Sequence, residues 1–398
     1  MSIFRAPTFL ILLVTIIGSL GNLIISGAMS FILEPNIFRD YFLIVASAQI
    51  IANIVHFGGS NYYGYLFAQN PTTKARNKFL STHGFVVIPV MGIFASFLLC
   101  QRHPNISLSA AVPLLVSYAL QGLVRTKLLL EEQYRKAITL GVLHIASIVI
   151  SVLVYRLFSS SLAFLFALQG LLNGLISYLF IGVTPETKSL KATFDGKVFK
   201  HMFFSMLNSF FVSMCMTGDR LLAESLRMSE SITYSYAALV FGYLLVISSY
   251  AAGLWTNLLT HSFRQFGVLH NPKSAKFEKW ALLLALVPMV FIYPGKFFLK
   301  SAYDVDIGLA EAAGFAIIVG LNILMKYYLA LLNILGAPRV FSVVSTVVLL
   351  IVVLVQEVLS DKSMTILELV SLTSSAVLIV LLSLRIYTSW KINVLQSV

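Results

Sequence analysis

The stretch "FSVVSTVVLLIVVLVQEVL", residues 341–359, decides the fold class of this chain. It contains one acidic residue and no basic residue, and its apolar residues run on without the alternation that a barrel strand would need. A helix of this length crosses a hydrocarbon core of about 30 Å. The stretch therefore predicts a membrane-spanning helix, and similar runs recur from one end of the chain to the other.

Composition supports a membrane protein throughout. Of the 398 residues, 58% are hydrophobic and 11% are charged, and the mean hydropathy is +0.89, whereas a soluble domain is about one quarter charged. The apolar run after Arg5 is too long for a signal peptide and is interpreted as a retained first span. Cys100 and Cys215 have no metal-type spacing and are expected to stay unpaired.

We predict an all-α polytopic membrane protein with about twelve transmembrane helices in two six-helix, parallel-repeat lobes around a central cavity. No soluble domain and no cofactor are expected. The predicted spans are 7–32, 41–63, 79–100, 106–127, 136–157, 160–183, 200–222, 231–259, 279–299, 307–331, 339–359 and 365–388.

The distribution of basic residues predicts the orientation. With both termini in the cytoplasm, the cytoplasmic segments hold 20 of the 28 Lys and Arg residues, and the opposite segments hold 11 of the 16 acids. This is the positive-inside bias of a multi-pass protein of the bacterial inner membrane. The net charge of +12 is then explained by loops facing an anionic membrane surface, so nucleic acid is not expected as a partner.

The chain is predicted to divide into residues 1–190 and 191–398, with six spans in each half. An even number of spans inserts both halves in the same orientation, which is typical of parallel-repeat transporters. A weak internal echo supports the repeat. At an offset near 193, Tyr41 aligns with Tyr234, and Phe57-Gly58-Gly59 aligns with Tyr250-Ala251-Ala252.

Polar residues recur at helical spacing within several spans. Such stripes face protein or water rather than lipid, and the simpler interpretation is hydrogen bonding between helices. Tyrosines and amides without fixed charge also suit a hydrated cavity that binds sugars. The candidate sugar-binding residues are Asn22, Asn53, His56, Asn61, Asn208, Tyr243 and Tyr250.

Three cations near the membrane plane are candidate phosphate-binding residues: Arg125, Arg220 and Lys326. Long cationic side chains near helix ends can also serve only as interface anchors. Arg125 is the strongest of the three candidates, because Ser117 and Gln121 precede it at steps of four. His144 is expected to be a satisfied packing residue.

Two segments resemble a known transporter family. They are "LEPNIFRDYFLIVASAQIIANIVHFGGSNYY" (33–63) and "MLNSFFVSMCMTGDRLLAESLRMSESITYSYAALVF" (206–241). With twelve spans in two halves, they resemble the multidrug/oligosaccharidyl-lipid/polysaccharide (MOP) exporter superfamily, and within it the polysaccharide-repeat flippases of O-antigen and capsule synthesis. The sequence "FRDY", with Arg39 and Asp40, departs from the glycine that often precedes the aromatic residue at the start of the second span.

This resemblance implies alternating access. The cargo would be an undecaprenyl-pyrophosphate-linked oligosaccharide, moved from the cytoplasmic to the periplasmic leaflet while its lipid tail stays among membrane lipids. The implied protein partners are the polymerase and the chain-length regulator of the same pathway. If transport is coupled to an ion gradient, Asp219, Glu311 and His56 are the titratable candidates.

Two alternatives remain open. A multidrug or ion-coupled small-molecule exporter of the same superfamily should need acids inside its cavity, yet most acids fall at outer ends or in loops. A membrane glycan polymerase or acyltransferase would carry a long outer loop or an embedded histidine motif, and the sequence has no catalytic or metal-spaced motif. A transporter rather than an enzyme is therefore expected.

Overall fold

The structure is a computed structural model of the whole chain. It describes residues 10, 13–14, 17, 26–68, 72–158, 161–183, 196–223, 226–244, 255, 258–259, 274–334, 346 and 364–396. Contacts divide these residues into two compact units. Unit 1 holds the described residues within Met1–Ile25 and Ile44–Phe210, and unit 2 holds Ser26–Leu43 and the described residues from Phe211 onwards.

Unit 1 is built from consecutive helices. Its helices are α1 (Pro35–His56, whose first residues belong to unit 2), α2 (Gly59–Ala68), α3 (Thr73–Thr82), α4 (Ile88–Arg102), α5 (Leu108–Leu130), α6 (Tyr134–Phe158) and α7 (Leu162–Ile181). A π-helical turn, His83–Val87, joins α3 to α4 without interruption. Helix α5 packs most extensively on α7 and α4.

Unit 2 is also helical. Its helices are α8 (Gly196–Leu222, whose first part belongs to unit 1), α9 (Met228–Gly242), α10 (Ser274–Leu286), α11 (Ile292–Tyr303), α12 (Leu309–Ile334) and α13 (Ile366–Gln396). A 3₁₀ turn, Val287–Phe291, joins α10 to α11. The β-structure recorded among the described residues is one isolated bridge between Leu226 and Met364.

The predicted fold class is confirmed, because the described chain is helical and eight of its helical segments are long and apolar enough to cross a membrane. Most of the predicted spans 7–32 and 339–359 and much of 231–259 lie outside the described residues. The predicted boundary between residues 190 and 191 also lies outside them and stays a prediction.

The second predicted span, 41–63, is broken where we expected a continuous helix. Helix α1 ends at His56, and α2 begins at Gly59. Between them Phe57 and Gly58 have φ of 44° and 69°, the left-handed region that favours glycine and is strained for a bulky residue. The break lies inside protein, with Phe57 and Gly58 both buried, which is where irregular backbone is tolerated at membrane depth.

Two close contacts explain the glycines at the break. A Cβ on Gly58 would collide with the Met202 carbonyl oxygen of α8, and a Cβ on Gly59 would collide with the ring of His83. The Nε2 atom of His83 lies 2.9 Å from the His56 carbonyl oxygen and donates to it. A carbonyl freed by the break therefore has a partner.

Helices α5 and α7 approach closely at Gly170. A Cβ there would collide with the backbone of Pro113 and Leu114 in α5. Three residues further along α7, Asn173 Oδ1 accepts a 2.5 Å hydrogen bond from Ser147 of α6. The segment "GLLNG" (170–174) therefore joins helices, as the simpler interpretation of its small and polar residues predicted.

We predict that Gly58→Ala lowers the yield of folded protein and its melting temperature in detergent. The methyl group meets backbone atoms of α8, and alanine disfavours the positive φ, which together cost about 1–3 kcal/mol. Gly64→Ala is the matched control, because its Cβ would meet only Leu130 at 3.9 Å. Equal melting temperatures for the two variants would contradict the description of the break.

The α5–α7 contact gives a second prediction. Gly170→Ala should reduce thermal stability by separating the two helices, whereas Gly174→Ala should be nearly neutral because its Cβ would meet Ser117 Cβ at 4.0 Å. Size-exclusion profiles and melting curves of both variants check this. A destabilised Gly174→Ala beside an unaffected Gly170→Ala would show that the close contact lies elsewhere.

Candidate functional site

Four of the predicted cavity residues belong to unit 1, around the helix break. His56 is the last residue of α1, and its Nε2 lies 2.7 Å from Ser60 Oγ. Asn61 Nδ2 donates to Ser209 Oγ of α8 at 3.1 Å. Asn208 is fully buried, and Asn53 Nδ2 donates to the carbonyls of its own helix at Gln49 and Ile50. Two of the four, His56 and Asn61, therefore bond to a neighbouring helix.

Aromatic rings cover the same region of unit 1. His201 of α8 stacks on Tyr65 at 4.7 Å between ring centroids and meets the edge of Tyr62 at 5.5 Å. Tyr63 donates its hydroxyl hydrogen to Glu131 at 2.5 Å. Rings of this kind can stack on sugar faces, and here their ring contacts are with the protein itself.

Arg125 lies on α5, one turn after Gln121. Its side chain is half-buried, and the described structure records no hydrogen bond or ion pair for it. Its neighbour Lys127 is different: it is buried, and its Nζ donates to the Ile181 carbonyl at the C-terminus of α7 at 2.7 Å. Lys127 therefore caps α7. Arg125, in contrast, is a cation whose charge has no recorded partner among the described residues.

A polar network in unit 1 was only partly foreseen. Gln121 Nε2 lies 3.0 Å from Nδ1 of His144, and His144 Nε2 lies 3.2 Å from Ser177 Oγ. His144 is 3% exposed, so it is the satisfied packing residue that we expected. His83 was missed because its partner, the His56 carbonyl, becomes available only when the helix breaks.

In unit 2 the adjacent residues Asp219 and Arg220 have separate partners. Tyr234 of α9 donates to Asp219 Oδ2 at 2.5 Å, while Asp219 Oδ1 is buried without a partner among the described residues. The Arg220 guanidinium lies 4.8 Å from the centroid of the Phe42 ring, a cation–π contact. Adjacent positions on a helix face different directions, so this division is expected.

Lys326 and Glu311 both lie on α12 in unit 2. Lys326 is half-buried, and no carboxylate of the described chain lies within ion-pair distance of it. Glu311 accepts a hydrogen bond from the Gly308 backbone N–H at 2.6 Å, so its carboxylate caps the N-terminus of the helix. The proposed role of Glu311 in ion coupling stays a prediction.

Of the two tyrosines predicted to bind sugar, the structure describes Tyr243, which lies seven residues after Tyr236. Tyr236 packs against Phe38 at 4.9 Å and Tyr303 at 4.8 Å between ring centroids. Tyr243 follows α9, and its hydroxyl lies so close to Gly27 that a Cβ there would be 2.6 Å away. Asn22 and Tyr250 lie outside the described residues.

The charged and buried polar groups of the described chain are dispersed over both units. Within the described chain, no three His, Cys, Asp or Glu residues are grouped to hold a metal ion. Arg125 and Lys326 present positive charge without a recorded carboxylate partner, and they belong to different units. Asp219 is a buried carboxylate, and its Oδ1 has no recorded partner in the described structure.

We predict that Tyr234→Phe lowers the melting temperature, because it removes the hydroxyl that donates to the buried Asp219 at a cost of about 1–3 kcal/mol. Tyr236→Phe is the matched control, since this tyrosine is also buried on α9 and has no recorded hydroxyl bond. Combining each change with Asp219→Asn gives a double-mutant cycle. Zero coupling between positions 219 and 234 would contradict the hydrogen bond.

Comparison with solved structures identifies the fold. The chain matches a MATE structure in complex with MaD5 at 12% identity and a TM-score of 0.71, covering 98% of this chain and 96% of that one. It matches an outward-facing multidrug resistance MATE family transporter of the MOP superfamily at 11% identity and a TM-score of 0.66, covering 98% of this chain and 95% of that one. It matches an inward-facing multidrug resistance MATE family transporter of the MOP superfamily at 12% identity and a TM-score of 0.56, covering 100% of this chain and 97% of that one.

Sequence comparison finds no protein-family model and no curated protein that matches the chain. The fold likeness at 11–12% identity extends over essentially the whole chain. It agrees with the superfamily that the sequence resembles and does not single out the polysaccharide-repeat flippases within it. The chain is a multi-pass membrane protein with the twelve-helix, two-lobe fold of MATE transporters of the MOP superfamily.

Proposed function

We propose that this protein is a membrane exporter that works by alternating access. The observation that carries the proposal is the fold, which matches transporters described in outward-facing and inward-facing conformations over almost their whole length. The helix break at Phe57–Gly58 supports it, because interrupted helices inside transporters supply both flexible points and exposed backbone groups. Transport, rather than catalysis, is the activity proposed.

The comparisons support a multidrug cargo more directly than any other. Two of the similar structures are described as multidrug resistance transporters. A cationic drug needs an acidic residue on its path. Asp219 is the candidate, because one of its oxygens is buried and has no recorded partner.

The residues support a second cargo, an anionic lipid-linked oligosaccharide such as an undecaprenyl-pyrophosphate-linked repeat unit. Arg125 and Lys326 are half-buried on spanning helices without a recorded carboxylate partner. An unpaired cation at the centre of a spanning helix costs about 2.5–3.5 kcal/mol on the mildest scale, and less near a helix end, where a long side chain reaches the interface. A pyrophosphate group on the cargo would offset that cost, whereas a cationic drug would increase it.

The proposed location is the bacterial inner membrane with both termini in the cytoplasm, from the positive-inside distribution of Lys and Arg. In this orientation Arg125 and Lys326 lie towards the cytoplasmic ends of their helices. Cargo assembled on the cytoplasmic leaflet would meet them first. A polymerase and a chain-length regulator on the periplasmic side are the partners proposed for the lipid-linked cargo.

Deletion of the gene separates the two cargoes. For a lipid-linked cargo we expect repeat units to accumulate on the cytoplasmic leaflet and long surface glycan to be lost, with unchanged resistance to ethidium. For a drug cargo we expect ethidium sensitivity with normal glycan. Neither phenotype, in a strain without redundant exporters, would contradict the proposed function.

Arg125 provides a residue-level prediction for the lipid-linked cargo. Arg125→Met should lower glycan export on the order of tenfold at normal protein abundance, because one charged contact to phosphate is worth about 1.5–3 kcal/mol. Arg135→Met is the matched control, because Arg135 is an exposed arginine at the start of the next helix, α6. Equal export by the two variants would contradict phosphate binding by Arg125 and favour its alternative interpretation as an interface anchor.

A further inference from the structure

Helices α5 and α12 carry the same polar pattern. Aligning their first residues, Leu108 and Leu309, at an offset of 201 places Gln121 over Asn322 and Arg125 over Lys326. Each helix therefore has an amide followed one turn later by a cation, at the same depth from its start. The two helices are the fourth and tenth predicted spans, which occupy equivalent positions in a two-fold repeat of six spans.

Residues four apart lie on one face of a helix, so each pair presents a carboxamide and a positive charge side by side. One pair belongs to unit 1 and the other to unit 2. Arg125 and Lys326 are both half-buried. The two predicted halves therefore carry the same pair of chemical groups, an amide and a cation, although the residue types differ.

Asn322 is the most informative member of the four. It is 0% exposed, and neither its Nδ2 nor its Oδ1 has a hydrogen-bond partner in the described structure. Buried amides are almost always bonded, because leaving them unpaired is costly. A second buried donor in unit 2, the Trp255 indole N–H, also lacks a partner, and the Trp255 ring meets the edge of Tyr327, next to Lys326.

The carboxylate of Glu278 contacts this segment and is already engaged. Glu278 accepts a hydrogen bond from Tyr328 at 2.5 Å and forms an ion pair with Arg385 at 3.2 Å. The Lys326 ammonium is therefore left without an internal counter-charge among the described residues. The Lys326 ammonium, the Asn322 amide N–H groups and the Trp255 indole N–H are donors of the kind that bind an anion.

We propose that Asn322 and Lys326 bind a phosphate group of the cargo, and that Gln121 and Arg125 are the repeat-related phosphate-binding pair of unit 1. This inference rests on the lipid-linked cargo proposed above and specifies its anionic part as the group recognised. The amide donates one N–H to a phosphate oxygen, and the cation supplies the charge. Gln121 keeps a second N–H for this purpose, since its bond to His144 needs only one.

The test uses the full-length protein, purified in nanodiscs, with undecaprenyl pyrophosphate as the probe and inorganic pyrophosphate as the competitor. We expect Asn322→Leu to weaken binding about tenfold and Asn322→Asp to weaken it further, because a carboxylate repels the phosphate. Lys326→Met should weaken binding similarly, and Lys326→Arg should restore most of it. Binding by the wild-type protein should fall as salt concentration rises.

Two controls separate recognition from folding. Thr373→Val removes a buried hydroxyl from α13 that is bonded within its own helix, and Lys300→Met removes an exposed lysine paired with Asp304. Both should bind undecaprenyl pyrophosphate as the wild type does. Melting curves of every variant show whether each binding change occurs in a folded protein.

The outcomes distinguish this inference from the proposed function. If the wild type binds the probe and Asn322→Asp and Lys326→Met bind it equally well, the phosphate assignment is wrong while the exporter proposal stands. If the wild type binds no diphosphate and deletion produces ethidium sensitivity, the lipid-linked cargo and this inference both fail. If deletion affects neither glycan nor ethidium, the exporter proposal itself fails.

Discussion

The structure depends on the rule that backbone polar groups inside a bilayer must be bonded within the protein. A continuous helix meets this rule automatically, and a broken helix does not. At Phe57–Gly58 the chain breaks a spanning helix, and His83 from the neighbouring helix donates to the His56 carbonyl at 2.9 Å. Gly58 and Gly59 allow α8 and the His83 ring to come close enough to cover the break.

The same rule separates structural polar residues from candidate functional ones. In unit 1, His144, Asn173 and Lys127 are all bonded to neighbouring helices. In unit 2, the Tyr234 hydroxyl bonds to one oxygen of Asp219. Other buried side-chain atoms have no recorded partner in the described structure, among them both amide atoms of Asn322, the Trp255 indole N–H and one oxygen of Asp219. Arg125 and Lys326 are half-buried cations without a recorded carboxylate partner. These groups are the candidates for contact with a cargo.

Much of the fold could be predicted because apolar run length directly reports on the thickness of the bilayer. The predicted span 136–157 corresponds to α6, Tyr134–Phe158, and 307–331 to α12, Leu309–Ile334. The break in the second span was not predictable in the same way. Its apolar residues continue through Phe57, and only the tertiary contacts of Gly58 and Gly59 with α8 and His83 explain it.

The candidate site was harder to predict, because a polar stripe alone does not tell a bonded group from an unbonded one. Asn53 and Asn322 both lie within spanning helices, but Asn53 bonds to its own helix and Asn322 has no recorded partner. Sequence reasoning selected the first and missed the second. Arg125 and Lys326 were found because a charge in an apolar helix is visible without a structure.

Alternating access is the central claim, and cysteine accessibility at position 326 tests it most directly. Lys326→Cys would be placed in a chain whose Cys100 and Cys215 are replaced by serine. It would then be exposed to a membrane-impermeant thiol reagent in intact cells and in inside-out vesicles. The account predicts labelling from both sides. Labelling from one side alone under every condition would contradict it.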